Sequence, residues 1–158
     1  MIIKSFDFKK IDFKTNKLIL FYGKNEGLKN ETLEILITDK NNISNYDEKE
    51  VLDNENYFIE SILSKSLFEQ QNFIVIKRAT DKILKIIENL HLKNPEDTII
   101  FLISDNLEKK SKLRSLFEKD KKLVCVPFYP DNDHILSKLA YIFLRDKKIS
   151  ISPSNLNT

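Results

Sequence analysis

The fold is decided by the stretch LILFYGKNEGL at residues 18–28. Its first five residues, 18–22, form an apolar run that is typical of a buried strand. Gly23 and Gly27, the only two glycines of the chain, follow at once, so the backbone can turn sharply there. Residues 28–36 then place apolar side chains near the 3.6-residue period of a helix. The stretch therefore predicts a strand, a glycine-bearing loop and a helix.

The same alternation of strand and helix continues downstream. Strands are predicted at residues 73–76, 98–103 and 123–126, with a weaker signal at 42–46, and helices at 57–63, 83–90, 107–117 and 133–144. Strands that are continuous apolar runs separated by helices indicate a parallel sheet covered on both faces. We therefore expect a three-layer α/β domain with a five-stranded, mainly parallel sheet.

Length and composition exclude several classes of protein. The chain has 158 residues and a mass of 18.6 kDa, the size of one ordinary domain, which excludes a large multidomain enzyme. Hydrophobic residues make up 41% and the net charge is +2, so the chain should fold and is no strongly basic nucleic-acid binder. No apolar run reaches the ~18–20 residues of a membrane span. A single cysteine, Cys125, favours a reduced, cytoplasmic compartment.

The strand, loop and helix at residues 18–36 have the order in which nucleotide-binding proteins place a phosphate at a helix N-terminus. The pattern G-x-x-x-x-G-K-[ST], anchored on Gly23, requires glycine at position 28 and serine or threonine at position 30. Those positions carry leucine and asparagine, and Gly27 lies one position early. Only Lys29 fits. We interpret Gly23, Gly27 and Lys29 as a vestigial phosphate loop, while weak nucleotide binding through Lys29 remains an alternative.

Other side chains that can take part in catalysis lack the neighbouring acid, base or nucleophile that a catalytic site requires. A metal-dependent hydrolase needs an acid at the end of a strand to hold magnesium. Asp105 follows a predicted strand, but one acid alone does not make such a site, and we interpret it as a loop or helix-capping residue. His91 and His134 lie on predicted helices without an obvious partner, so both are expected to be structural. Cys125 lies within an apolar strand, which favours a buried, inert thiol. We therefore expect no catalytic residue, no metal and no cofactor.

Leu67 and Phe68 form an adjacent apolar pair within a polar connection between a predicted helix and a predicted strand. Two consecutive side chains of a helix point in different directions, so they fit one core stripe poorly. At the end of a helix they can instead enter a hydrophobic pocket on a partner. Phe68 can equally close the bottom of the core, and the residues alone leave both interpretations open.

Four blocks of the chain together resemble a known family. Residues 18–28 are similar to a strand followed by a Gly-Asp-Glu-x-x-Leu turn, and Ser66-Leu67-Phe68 followed by residues 73–79 is similar to an S-L-F, apolar strand, R-x-A block. Residues 98–104 and 107–113 resemble the next strand and a D-K-R-x-K-L-like helix. On these blocks, from residue 18 to about residue 154, the chain resembles the N-terminal part of the delta subunits of bacterial DNA polymerase III, which belong to the clamp loader.

The resemblance implies a P-loop NTPase-like, AAA+ type domain without a working ATPase. It also implies that Leu67 and Phe68 form a hydrophobic wedge that enters a pocket on the DNA sliding clamp and helps to open it, with Ser66, Glu69 and Gln70 as rim contacts. Burial of the two apolar side chains would contribute roughly 3–6 kcal/mol before the costs of association. The chain itself would not hydrolyse ATP, although it resembles a subunit of a nucleotidyltransferase complex.

The resemblance also sets expectations for domains and partners. Residues 1–130 are expected to form the clamp-binding AAA+ like domain, and residues 131–158 a helix and the start of a truncated lid domain. The expected partners are the beta sliding clamp and, in the full-length protein, the other clamp-loader subunits, with DNA reached only through the assembled loader. Two alternatives stay open, a weak P-loop nucleotide-binding enzyme and an unrelated α/β interaction module.

Overall fold

The computed structural model describes residues 1–64, 71–130, 133–147 and 149. Met1–Phe128 form one compact unit and Tyr129–Thr158 a second. The strands are β1 (Leu18–Tyr22), β2 (Ile43–Asp47), β3 (Asn72–Lys77), β4 (Thr98–Ile103) and β5 (Val124–Pro127). The helices are α1 (Glu26–Leu36), α2 (Glu48–Asp53), α3 (Glu55–Leu63), α4 (Leu84–Lys93), α5 (Lys112–Lys119) and α6 (Asp133–Asp146), with short 3-10 turns at Ser5–Lys10, Lys40–Asn42 and Asp81–Ile83.

The five strands form one parallel sheet in the order β2-β3-β4-β1-β5. Strand β1 lies between β4 and β5, where Ile19 is level with Phe101 and Leu20 with Cys125. Every residue of β1 is buried, because a strand between two parallel neighbours is covered by helices on both faces. The continuous apolar run that predicted this strand is therefore explained, and the expected five-stranded α/β sheet is confirmed.

Two hydrophobic cores lie on opposite faces of the sheet. Alternate residues of β1 supply both, since successive side chains of a strand point to opposite faces. Leu20 belongs to the core covered by α2, α3, α4 and α5. Phe21 belongs to the core covered by α1 and the N-terminal segment, where its ring packs against Phe101 and Phe128. This arrangement gives the three layers that the sequence predicts.

The two edges of the sheet are treated differently. Strand β2 pairs with β3 alone, and its pattern of partly buried and exposed residues explains why its sequence signal is weak. The other edge, β5, is extended by the N-terminus: the N–H of Ile3 donates to the carbonyl of Cys125 at 2.9 Å, and the N–H of Cys125 donates to the carbonyl of Met1 at 2.9 Å. Pairing of this kind covers an otherwise open strand edge.

Four helices begin at residues that differ from the prediction, and the differences at α1 and α5 bear on the site. Helix α5 begins at Lys112 rather than near Leu107, which lies in the preceding loop and packs partly buried on the core. The Ser111 hydroxyl accepts the N–H of Arg114 at 3.2 Å and fixes this later start. Helix α1 begins at Glu26, so Gly27 lies inside its first turn rather than in the loop. The expected helices are therefore present, but the boundaries follow the capping residues.

The second compact unit contains helix α6. It is amphipathic in sequence, and its last turn carries Arg145, a favourable position for a cation at a helix C-terminus. No helix within the described part of the chain is long and apolar enough to cross a membrane. The expected boundary at residues 130 and 131, and the interpretation of residues 131–158 as the start of a lid, stay predictions.

Candidate functional site

The predicted clamp-binding residues, Ser66, Leu67, Phe68, Glu69 and Gln70, lie outside the described residues. The chain on either side of them is described and hydrogen-bonded. At the end of α3 the N–H of Ser64 donates to the carbonyl of Glu60 at 2.9 Å, and at the start of β3 the N–H of Asn72 donates to the carbonyl of Asp97 at 2.8 Å. Both attachment points thus belong to regular elements at the amino edge of the sheet.

The predicted phosphate loop lies at the opposite, carboxyl edge, which is where α/β sheets bind ligands. Gly23 has φ of +123° and its N–H donates to the carbonyl of Asp105 at 3.1 Å. A β-carbon on Gly23 would lie 2.1 Å from the carbonyl oxygen of Phe128. The N–H of Asn25 also donates to that oxygen, at 3.3 Å. The loop is therefore packed against the end of β5 by its own backbone.

The first turn of α1 is capped by a side chain of the protein. The Asn25 side-chain oxygen accepts the N–H of Leu28 at 3.1 Å. A phosphate loop instead offers such N–H groups to the ligand. Glu26 adds a carboxylate in the same turn. Its negative charge interacts favourably with the dipole of α1 but would repel a phosphate that approached this end of the helix. The N-terminus of α1 thus already has a hydrogen-bond acceptor, Asn25, and a negative charge, Glu26, from the protein itself.

Lys29, the one residue that matches the phosphate-binding pattern, points into the protein. Its side chain is 1% exposed, and its Nζ donates to the carbonyl oxygen of Ser104 at 2.8 Å. Its ammonium also forms an ion pair with the carboxylate of Glu26. A buried ammonium must be paired and hydrogen-bonded in this way. Lys29 therefore joins α1 to the end of β4, at the position where a Walker lysine would reach a phosphate.

Ser104 continues this network across the sheet. Its backbone N–H donates to the carbonyl of Phe21 at 2.8 Å, and its hydroxyl donates to the carbonyl of Ala79 at 2.6 Å. The next residue after Ala79, Thr80, donates its N–H at 2.7 Å and its hydroxyl at 3.0 Å to the buried carboxylate of Glu48. Hydrogen bonds within the protein therefore link the ends of β1, β3 and β4 to α1 and α2.

Charged groups after β3 complete this edge. Arg78 has φ of +57°, a left-handed conformation that is uncommon for residues other than glycine. Its guanidinium forms an ion pair with Asp47, which caps α2 through a capping box with Glu50. In the part of the chain that the structure describes, no group of three or more His, Cys, Asp or Glu side chains is arranged to hold a metal ion.

The single acid after β4 and the thiol of β5 are also accounted for. Asp105 is exposed in the loop after β4 and contacts the phosphate-loop region through its backbone carbonyl. Helix α5, which follows this loop, is capped by Ser111 and Asp81 instead. Cys125 is fully buried, and burial raises the pKa of its thiol to about 12. A thiol with that pKa is not a nucleophile at neutral pH.

Sequence reasoning missed three polar contacts that join distant segments. His91 Nε2 lies 2.9 Å from a carboxylate oxygen of Asp120, so this histidine does have a partner. The Asp81 carboxylate accepts the hydroxyl of Ser111 at 2.6 Å and the N–H of Leu113 at 3.0 Å. Glu48 meets Thr80 as described above. Nothing local in the sequence indicates these three contacts. At this edge of the sheet, the only local signal is the Asp47-x-x-Glu50 spacing, which is typical of the capping box at the start of α2.

Comparisons with known proteins give a likeness of fold. No family model matches the chain, and no curated protein matches it. Among solved structures, the chain is similar to the Bacillus subtilis DNA clamp loader delta protein, with 16% identity, a TM-score of 0.66 and 96% of this chain covered. It is also similar to domain III of the Thermotoga maritima replication initiation protein DnaA, with 14% identity, a TM-score of 0.53 and 97% of this chain covered.

These matches extend over unequal shares of the other proteins. The chain spans about half the length of the clamp loader delta protein, 50%, and 71% of the DnaA chain. Both alignments nevertheless include nearly the whole of this chain. The chain has the five-stranded parallel α/β fold that its sequence predicts, and it shares this fold with these two replication proteins.

Proposed function

We propose that this chain is the clamp-binding part of a clamp-loader delta subunit, which binds a DNA sliding clamp and favours its opening without hydrolysing ATP. The observation that carries the proposal is the internal engagement of Lys29 in an AAA+ type fold. Its Nζ is bound to the carbonyl of Ser104 and its charge is paired with Glu26. A domain of this fold whose phosphate-loop lysine serves the protein itself is suited to binding a partner rather than to using nucleotide.

The attachment of residues 65–70 supports their role as the contact with the clamp. They follow α3 and precede β3, a strand that is hydrogen-bonded to β2 on one side and to β4 on the other. A binding segment attached to such a strand loses less freedom when it binds, because its ends are already held. In the proposal, Leu67 and Phe68 enter an apolar pocket on the clamp, and Ser66, Glu69 and Gln70 contact its rim.

Opening follows from differential binding. If Leu67 and Phe68 fit the opened clamp better than the closed ring, binding shifts the clamp toward the open form by that difference in affinity. No hydrolysis by this chain is needed. ATP would be used by other subunits of the loader, and DNA would be reached through the assembled complex. The alternative of a weak nucleotide-binding enzyme is less well supported, because Lys29 would first have to leave its buried partners.

The test is binding of this chain to the sliding clamp of the same organism, measured by surface plasmon resonance. We expect the Leu67→Ala/Phe68→Ala variant to bind at least ~100-fold more weakly, since apolar anchors in a pocket dominate such interfaces. The matched control is Phe6→Ala/Ile35→Ala, which also removes one phenylalanine and one aliphatic side chain, both exposed on the wild-type surface. This control should bind like the wild type.

Equal binding by wild type and the Leu67→Ala/Phe68→Ala variant would contradict the proposed contact. Absence of clamp binding by the folded wild-type chain would contradict the proposed function and favour an unrelated α/β interaction module. Circular dichroism and thermal unfolding of each variant establish that it is folded. A clamp labelled with a fluorophore pair across one of its interfaces then reports whether binding also opens the ring.

A further inference from the structure

An open groove with a volume of about 610 Å³ lies between α4 and α5. It involves none of the residues in the clamp-binding proposal or in the network around Lys29. Its lining is rich in lysine, drawn from α5 and from the loop before it. These lysines, all exposed, are Lys109, Lys110, Lys112 and Lys119.

The positive charge of the groove is poorly neutralised by the protein. Among the described residues, the ammonium groups of Lys109, Lys112 and Lys119 form no salt bridge, and Lys110 Nζ pairs with the exposed carboxylate of Glu108 at 2.9 Å. Like charges held close together repel one another. A ligand that brings negative charge into the groove relieves this repulsion.

Two acids also line the groove, and the carboxylate of one of them, Asp120, already has partners within the protein. The carboxylate of Asp120 lies 2.9 Å from His91 Nε2 and accepts the N–H of Lys122 at 2.7 Å. Glu88 is the other acid, exposed on α4. Even when Glu108, the partner of Lys110, is counted with these two carboxylates, the four lysines leave the groove with a net positive charge, so its charge is complementary to an acidic partner.

Leu84 and Leu116 give the groove an apolar part. Both line it, and both pack partly buried against the core. Among the described residues that line the groove, none is aromatic. Single-stranded nucleic acids are held by stacking of bases on aromatic side chains as well as by lysines. Lysines around two leucines instead match a peptide that carries both carboxylates and an apolar side chain.

The spacing of the lysines sets the size of the ligand. Lys112 and Lys119 lie at the two ends of α5, about 10 Å apart along the axis at 1.5 Å per residue. An extended peptide covers that distance in about three residues. We propose that the α4–α5 groove binds a short acidic peptide segment of a partner protein, with carboxylates about three residues apart on the lysines and an intervening apolar side chain on Leu84 and Leu116.

The test uses a fluorescein-labelled peptide of sequence EDLLDE and fluorescence anisotropy. The charge-reversed variant Lys109→Glu/Lys119→Glu should bind it at least ~10-fold more weakly, because opposed charges are replaced by like charges. The matched control Lys9→Glu/Lys14→Glu makes the same change of charge at exposed lysines of the N-terminal segment, which covers the other face of the sheet. Its affinity should stay within about twofold of wild type.

Two further probes decide which chemistry is recognised. The peptide EDSSDE should bind about tenfold more weakly than EDLLDE, because it lacks the side chains that contact the leucines. A labelled oligothymidylate of similar charge should bind more weakly than EDLLDE. Absence of binding by EDLLDE, equal losses in both lysine variants, or preference for the oligothymidylate would each overturn the proposal. Thermal unfolding establishes that each variant is folded.

Discussion

Gly23 and Gly27 stand at the two ends of one short segment, but only Gly23 has a conformation and surroundings that need glycine. Gly23 has φ of +123° and faces the backbone of Phe128, whereas the nearest atom to a β-carbon on Gly27 would be the Asn25 side chain at 3.9 Å. The sequence predicts a turn at both residues. It cannot separate them, because the contact with Phe128 depends on how β5 pairs with β1.

Alanine should therefore have opposite effects at the two positions. Gly23→Ala combines left-handed strain with a clash against the Phe128 carbonyl and should lower the free energy of unfolding by about 3 kcal/mol or more. Gly27→Ala lies in the first turn of α1 and should change it by less than about 1 kcal/mol, in the stabilising direction. Urea unfolding of both variants measures this, and equal effects would contradict the packing of the loop on β5.

Lys29 illustrates the limit of motif reading at a single residue. The pattern correctly singles out the residue, but its partner, the carbonyl of Ser104, is 75 positions away in sequence. A lysine that waits for phosphate and a lysine that holds two elements together look alike in a motif. The pairing with Glu26 three positions earlier was the one local hint.

Removal of the Lys29 charge should destabilise the protein even in the absence of nucleotide. Lys29→Met keeps the length of the buried stem but leaves the Ser104 carbonyl without its donor, which should cost about 1–3 kcal/mol. The matched variant Glu26→Gln removes only the exposed partner and should cost less than about 1 kcal/mol. Urea unfolding compares them, and an unchanged stability of Lys29→Met would mean that the lysine has no structural role.

At the scale of elements, one carboxylate joins two helices of the same layer. Asp81 lies in the 3-10 turn before α4, and it accepts the Ser111 hydroxyl and two backbone N–H groups at the start of α5, those of Lys112 at 3.1 Å and Leu113 at 3.0 Å. The bond from Ser111, followed by that from Leu113, holds the pKa of Asp81 below its ordinary value of 3.8.

This capping makes a pH-dependent contribution to stability. Because the pKa of Asp81 is lower in the folded state, its contribution is present above the ordinary pKa and is lost as the pH falls through the lowered one. Asp81→Ala should cost about 1 kcal/mol near neutral pH, as for other helix caps. The difference in melting temperature between wild type and variant should shrink on acidification. A difference that is constant from neutral pH to pH 2 would contradict the capping role.

The elements that the sequence predicts well are those whose signal is local. Strands β1, β3 and β4 are continuous apolar runs, and their identity follows from burial on both faces. Strand β2 and the start of α5 are harder, because the first is a half-exposed edge and the second is fixed by Asp81 from another segment. The predicted contact residues 66–70 lie outside the described residues and stay a prediction.

At the scale of the whole molecule, alternation of strands and helices predicts a parallel sheet but not its strand order. The order β2-β3-β4-β1-β5 depends on which strands meet, and such pairings leave no mark in a single sequence. The likeness to the clamp loader delta protein concerns the fold as a whole. It extends over 96% of the chain at only 16% identity, so the topology is retained where few residues are shared.

The groups that could bind a phosphate at the carboxyl edge of the sheet are engaged within the protein, so we expect that nucleotide does not stabilise it. A ligand that binds only the folded state stabilises it and so raises the melting temperature. At a ligand concentration of 100 times the dissociation constant, the free energy of unfolding rises by about 2.7 kcal/mol. With Lys29 buried and the N–H of Leu28 bound to Asn25, we expect millimolar Mg-ATP to leave the melting temperature unchanged. A concentration-dependent rise that is lost in Lys29→Met would instead support a nucleotide-binding enzyme.

The position of β1 between two later strands also constrains how the chain acquires its structure during synthesis. Strand β1 is made early, but its neighbours β4 and β5 begin at Thr98 and Val124. About 75 residues separate it from β4, so at ~5–20 residues per second its first partner leaves the ribosome roughly 4–15 s later. During that interval this buried, apolar strand has no other strand to pair with. Its protection until β4 arrives falls to α1 or to a chaperone.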